Sequence, residues 1–160
     1  MMTNSDDQGS GGAPLRLLAR DSADIEVLST LLQDAIVPGV DMLFDRDRKR
    51  FIFIANRFCW ERPAIAEVTG EKGEPVRERS LCVVWIEGVQ RVLQNNIPAR
   101  RDKELFNLLA VICGYGVENE TYVDLMFSAG ATVRLLVEII EVAAKDVEEA
   151  RPTTSQPKHE

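Results

Sequence analysis

Histidine is almost missing from this chain: the one imidazole is His159, next to the last residue. The body of the sequence therefore offers no Ser-His-Asp or Cys-His catalytic set and no histidine-based metal site. Long apolar runs are missing too. No stretch approaches the ~18–20 residues that span a bilayer, and the Met1–Ala13 segment has neither the basic region nor the apolar core of a signal peptide. An excess of positive charge is also lacking. Lys and Arg number 19 against 26 Asp and Glu, giving a formal net charge of -7. A nucleic-acid binder needs a positive field to displace counterions from phosphates, and an anionic membrane surface needs the same. Neither partner is expected here.

Cysteine is sparse, with three residues, Cys59, Cys82 and Cys113, and no C-x-x-C pair. Zinc frameworks and thioredoxin-like redox motifs are excluded by that spacing. Each thiol sits in an apolar run and reads as a small buried side chain. Unpaired thiols fit a reducing compartment, so the expected location is cytoplasmic. The glycines build no phosphate cradle. Gly9-Ser10-Gly11-Gly12 precedes the first expected strand instead of joining a strand to a helix, and Gly114-Tyr115-Gly116 is too short. No cofactor, no metal and no catalytic residue is expected, and no internal repeat is present.

What is there is an ordinary globular composition. The chain has 160 residues, 45% hydrophobic and 28% charged. A chain of this length buries roughly 70% of its unfolded surface without a covalent staple. The polar, Gly-rich residues 1–13 and the Pro-containing residues 151–160 read as disordered tails around one domain at 14–150. Leu15–Ala19 reads as a strand. Asp21 or Ser22 then caps a helix in which Ile25, Leu28, Leu31, Leu32 and Ala35 recur at helical spacing, ended by Pro38-Gly39. From Val40 the period becomes two: a strand through Phe44, a turn at 45–48, and a strand Arg50–Trp60. Residues Glu61–Arg79, with two prolines and two glycines, read as an exposed excursion.

Ser80–Ile86 is apolar on both faces and reads as a central strand covered above and below. Val89–Gln94 continues after Gly88. Leu105–Cys113 reads as a strand ending at Gly114, although its period alone also admits a buried helix. Tyr122–Ser128 and Thr132–Val137 form a hairpin around Ala129-Gly130. Glu138–Ala150 reads as a helix with Ile139, Val142, Ala143 and Val147 inward. The expected fold class is α+β: mainly an antiparallel sheet or partly closed barrel of about seven strands, with an N-terminal strand-helix and a C-terminal helix.

Two basic clusters stand out. Arg46, Arg48, Lys49 and Arg50 crowd one turn, where forked guanidinium groups suit a phosphate or carboxylate, though Asp45 and Asp47 interleave with them. Arg100, Arg101 and Lys103 form the second, diluted by Asp102 and Glu104. The most distinctive stretch is Asn56-Arg57-Phe58-Cys59-Trp60-Glu61. Arg57, Phe58 and Trp60 there are candidate contacts for a protein partner, since Trp and Arg are enriched at interface hot spots. The plainer alternative is that Trp60 caps the core at a strand end.

Those residues also carry a resemblance. Leu15-Arg16-Leu17-Leu18-Ala19, the helix at 24–35, the Asn-Arg-Phe-x-Trp-Glu stretch at 56–61 and the hairpin and helix from Tyr122 to Glu149 together resemble the bacterial family known as domain of unknown function 2948. The likeness covers nearly the whole folded part. It implies a bacterial cytoplasmic protein with no assigned activity, and carries over no catalytic residue. A looser analogy compares seven antiparallel strands and a C-terminal helix with the pleckstrin-homology barrel, whose first hairpin turn often holds an anion. The reading that results is a non-enzymatic protein that binds another protein or forms a homo-oligomer. Two alternatives stand beside it: an anionic-ligand module using Arg46–Arg50, and an enzyme using converging carboxylates, with a hard metal ion such as magnesium.

Overall fold

Asp21 starts the chain's one α-helix among the described residues. Its side chain accepts from the Asp24 N–H at 2.9 Å, and the Asp24 carboxylate in turn accepts from the Arg20 N–H at 3.0 Å. The computed structural model describes residues 14–61, 65–69, 75–147 and 151–153. In chain order the elements are β1 (Arg16–Ala19), α1 (Ser22–Leu31), β2 (Ala35–Pro38), a 3-10 turn at Gly39–Asp41, β3 (Leu43–Asp45), β4 (Arg50–Phe58), β5 (Ile65–Thr69) and β6 (Pro75–Ile86). There follow β7 (Val89–Asn95), a 3-10 turn at Arg101–Lys103, β8 (Leu105–Tyr115), β9 (Thr121–Phe127), β10 (Thr132–Val137), β11 (Val142–Asp146) and β12 (Arg151–Thr153). All the strand pairings are antiparallel.

The sheet runs β1-β11-β6-β4-β2-β8-β9-β10-β7, with β12 and β5 pairing β6, and β3 pairing β4, off that path. Strands β6 and β7 lie far apart along this order, yet only Glu87 and Gly88 join them. The sheet must therefore roll until its β7 end comes back beside β6. Gly88 makes the corner with φ +68°, a conformation in which glycine has no Cβ to clash. Its carbonyl accepts from the Glu138 N–H at 3.1 Å, and the Glu87 N–H donates to the Glu141 carbonyl at 3.0 Å. The β6–β7 and β10–β11 links thus run side by side. No ladder joins β1 to β7, so the roll stays open.

Alternation sets what lies inside. Phe51, Phe53 and Ala55 of β4, Cys82, Val84 and Ile86 of β6, and Val142 and Ala144 of β11 face inward and are buried. They meet Leu108, Val123, Leu125 and Leu135 of the other half, Ile25 and Leu28 of α1 and Leu32 just after it in one core. α1 packs on β8 and β1, and Ser29 accepts from the Val111 N–H at 2.9 Å.

Several expectations are corrected. The helix stops at Leu31 instead of reaching Pro38, because Ala35–Pro38 is drawn between β4 and β8 as a strand. Residues 39–41 form a 3-10 turn before β3 instead of a strand starting at Val40. The excursion expected at 61–79 contains β5 and the start of β6; residues 62–64 and 70–74 lie outside the described set. The sheet has more strands than about seven. Most consequentially, the expected C-terminal helix is strand β11 over 142–146, paired with β6 and β1. Val142, Ala144 and Asp146 point inward, while Ile139 and Val147 are exposed. A charged residue occupies one of the inward positions, so hydrophobic period alone did not show the strand. Without that helix the pleckstrin-homology analogy loses its support. Leu105–Cys113 is a strand, as expected. Arg151–Thr153 pairs with β6, while the tail residues 1–13 and 154–160 lie outside the described set.

Candidate functional site

The Arg57 side chain is fully buried at the inner end of β4. Its five N–H donors are all used. Nε and Nη2 clamp Asp146 at 2.9 and 2.8 Å, Nη1 and Nη2 clamp Glu61 at 2.9 and 2.8 Å, and Nη1 also reaches the Phe58 carbonyl at 3.3 Å. Burial opposes the charge on Arg57, but the bonds to Asp146 and then Glu61 outweigh it, and its pKa is raised. Asp146 further accepts from the Leu15 N–H at 2.8 Å. One guanidinium therefore ties β4, β11, the chain after β4 and the entry to β1 together. Two carboxylates do converge here, and the space between them is filled by Arg57. Phe58 is buried beside it, under the Arg79 guanidinium at 4.2 Å from its ring centroid. Trp60 is half-buried, its ring 5.2 Å from Phe58 and its indole N–H donating to the Gln33 carbonyl at 2.8 Å. Arg57 and Phe58 thus lie in the interior, and Trp60 closes the gap between the β4 end and the segment after α1.

The basic turn is largely self-satisfied. Arg50 grips Glu87 with Nε–Oε1 at 3.0 Å and Nη2–Oε2 at 2.9 Å. Arg46 lies 5.5 Å from the Phe44 ring centroid. Arg48 is exposed and reaches Asp45 only at 4.0 Å, and Lys49 is exposed with φ 53°. The second basic cluster packs elsewhere, against the 39–41 turn.

Cys59 and Cys82 are buried and Cys113 is half-buried, and no disulfide joins them. Cys113 lines a cleft of about 580 Å³ with Arg20, Asp21 and Glu138. Burial and the charges of Asp21 and Glu26 raise its pKa, which keeps it a thiol and a poor nucleophile. Cys82 is pushed up to about 12, first by burial and then by the neighbouring Asp146 carboxylate. An unfolded thiol ionises near 9.0, so between pH 9 and 12 the unfolded chain has lost a proton that the folded chain keeps. Stability falls with pH across that window, and is full below it. The stability difference between wild type and Cys82→Ala, measured by urea unfolding, is expected to shrink by about 1.4 kcal/mol per pH unit there. A difference that stays flat would show that Cys82 ionises freely in the fold.

The residues left facing outward are the unusual ones. On the outer side of the β1–β11–β6–β4–β3 half, Leu18 lies opposite Ala143, Ala143 opposite Trp85, Trp85 opposite Ile52 and Ile52 opposite Leu43. This unbroken apolar row crosses five strands, about 19 Å. Val83 and Ile54 extend it on the next row. Leu18 is 45% exposed and Leu43 59%, and the others are half-buried. An antiparallel sheet with one solvated face normally alternates apolar and polar residues. This one does not. Beside the row, a cleft of about 420 Å³ runs over β1, β11 and β6, with Arg16 and Lys145 at one end and Glu87 and Glu141 at the other.

A family model described as Protein of unknown function (DUF2948) matches residues 15–159. The chain belongs to this family. The family's matched region takes in the Arg57 clamp and the whole outer row. No curated protein and no solved structure matches the chain. Among the described residues of this family member, no helix is long and apolar enough to cross a membrane.

Sequence reasoning singled out Arg57 for its company of aromatics and missed Leu18, Trp85, Lys145 and Glu141. A signal was present. The two-faced apolarity of Ser80–Ile86, repeated in Ile52 and Ile54, was read as cover on both sides, whereas among the described residues only the inner side is covered.

Proposed function

We propose that this chain is a protein-interaction domain and that its docking surface is the outer face of β1, β11, β6, β4 and β3. The observation that carries this reading is the row Leu18–Ala143–Trp85–Ile52–Leu43, an exposed apolar band too continuous for an isolated solvated sheet face. Trp85 near its centre supplies the kind of anchor that dominates interface energetics. The unbridged thiols support work in a reducing compartment, the cytoplasm.

The test is photo-crosslinking inside the cells that make the protein. A photoreactive residue in place of Trp85 or Ile54 is expected to give one discrete adduct. The same residue in place of Arg91, on the exposed side of β7 in the other half of the sheet, is expected to give none. Equal labelling from all three positions, or no adduct from the first two, would overturn the reading.

A further inference from the structure

We propose that the occupant of this face is a second copy of the same chain, docked face to face about a two-fold axis that lies between the two sheets and runs across their strands over Ala143. The inference rests on the docking-surface reading and names its partner.

The charges at the ends of the cleft carry it. Arg16 and Lys145 lie directly opposite each other in the β1–β11 ladder. Like charges in that position repel and destabilise an isolated sheet. Among the described residues neither cation makes an ion pair. At the opposite end lie Glu141 and Glu87, joined through the Glu87 N–H to the Glu141 carbonyl at 3.0 Å. Glu87 already shares its carboxylate with Arg50, which leaves Glu141 as the acid without an ion pair among the described residues. Among the described residues Lys145 thus lacks an acid and Glu141 a cation.

The spacing then selects the symmetry. Glu141 and Lys145 stand four residues apart, about 13 Å along the strand line. Ala143, half-buried on the same outer face, is their midpoint. A two-fold axis across the strands at Ala143 reverses strand direction in the partner. It sets Glu141 of each copy over Lys145 of the other, so the pair forms twice, as an isologous interface requires. An axis along the strands would instead set Lys145 over Lys145. Under the favoured axis every residue of the apolar row meets its own counterpart: Trp85 on Trp85, Ile52 on Ile52, Leu18 on Leu18. Ala143, on the axis between the two charge pairs, is a small residue that lets the sheets close there. The polar ends form the rim and the apolar row the core of the contact, the usual arrangement of a stable interface.

The experiment is sedimentation equilibrium of the full chain with charge variants at this one pair. Wild type is expected to dimerise. Lys145→Glu alone and Glu141→Lys alone each replace two attractions by two repulsions, and each is expected to raise the dissociation constant about tenfold. The double variant Glu141→Lys/Lys145→Glu restores both pairs and is expected to dimerise as wild type does. An equimolar mixture of the two single variants is expected to form a heterodimer tighter than either variant alone. Both side chains are on the surface, and unchanged circular dichroism and melting temperature verify that the variants fold. A dimer indifferent to these changes uses another face, and overturns the proposal. A wild-type chain that stays monomeric, while Trp85 crosslinks in cells to an adduct other than twice the chain mass, overturns the second copy and leaves the interaction reading standing. A monomer with no adduct overturns both.

Discussion

Replacing Arg57 with alanine is expected to cost about 3–5 kcal/mol of folding stability, enough to unfold a domain of ordinary margin. The loss is larger than any surface ion pair could give, because Asp146 would be left charged in the interior with its partner gone. Arg57→Lys should fare little better. A single ammonium cannot grip Asp146 and Glu61 with two bonds each, as the forked guanidinium does. The informative variant is the double replacement Arg57→Met/Asp146→Leu. It removes both interior charges, and Glu61, whose side chain is 32% exposed, can turn to water. The double variant is expected to recover most of the stability lost by Arg57→Ala, since apolar pairs often match buried ion pairs in stability. Urea unfolding of Arg57→Met, Asp146→Leu and the double, read as a cycle, checks this. If Arg57→Ala costs under about 1 kcal/mol, the range of exposed ion pairs, the clamp is not what holds β4, β11 and β1 together.

The second large effect is at Gly39. A Cβ there would lie 1.9 Å from the Arg101 carbonyl oxygen and 3.0 Å from the Phe106 ring. The obstacle is backbone on a neighbouring segment, which cannot swing aside as a side chain can. The same approach is held by the Gly39 N–H, which donates to the Glu104 carbonyl at 2.9 Å. Gly39→Ala is therefore expected to push the 101–104 segment away from the β2 end and cost about 3 kcal/mol, the upper part of the overpacking range. Gly114 and Gly116 supply the comparison. At Gly114 a Cβ meets the Tyr122 hydroxyl at 2.7 Å, which a side-chain rotation relieves at the cost of its stacking with Arg134, 3.9 Å from the ring centroid. At Gly116 the nearest atom is 3.7 Å away, ordinary contact. The alanine variants should rank Gly39, Gly114, Gly116 in falling cost. Melting temperatures measured side by side test that order, and a Gly39→Ala protein that melts with wild type would mean the 101–104 segment gives way freely.

The two effects share a feature with the places where reading the sequence fell short. Arg57 and Asp146 are 89 residues apart. Gly39 and Arg101 come from segments that meet only in the fold. The helix expected at 138–150 illustrates the cost of that distance. Ile139, Val142, Ala143 and Val147 fit a helical stripe as well as Val142, Ala144 and Asp146 fit a strand. Only the presence of Arg57 across the interior makes an aspartate acceptable on the inward side. The same holds for the candidate surface. The apolarity of Trp85, Val83, Ile52 and Ile54 was legible, but whether another layer covers that side depends on where α1 packs. It packs on β8 and β1 with Ile25 and Leu28 buried, so the one helix among the described residues does not cover that outer face.

By itself the sequence determined the local features. A cap at Asp21 or Ser22 starts α1, period two makes β4, the glycines after Cys113 mark β8 as a strand, the Ala129-Gly130 turn joins β9 to β10, and the near-absence of histidine removes imidazole chemistry from the fold's body. These follow from interactions between residues a few positions apart, or from composition alone. The tertiary structure decided the rest. It drew Ala35–Pro38 and Val142–Asp146 into strands, turned Arg57 from a surface candidate into an interior clamp, and aligned Leu18, Ala143, Trp85, Ile52 and Leu43 in one row. Those outcomes rest on strand partners and buried charge pairs far apart in the chain, and a one-dimensional pattern carries no information about which distant residue will neutralise a charge or cover a face.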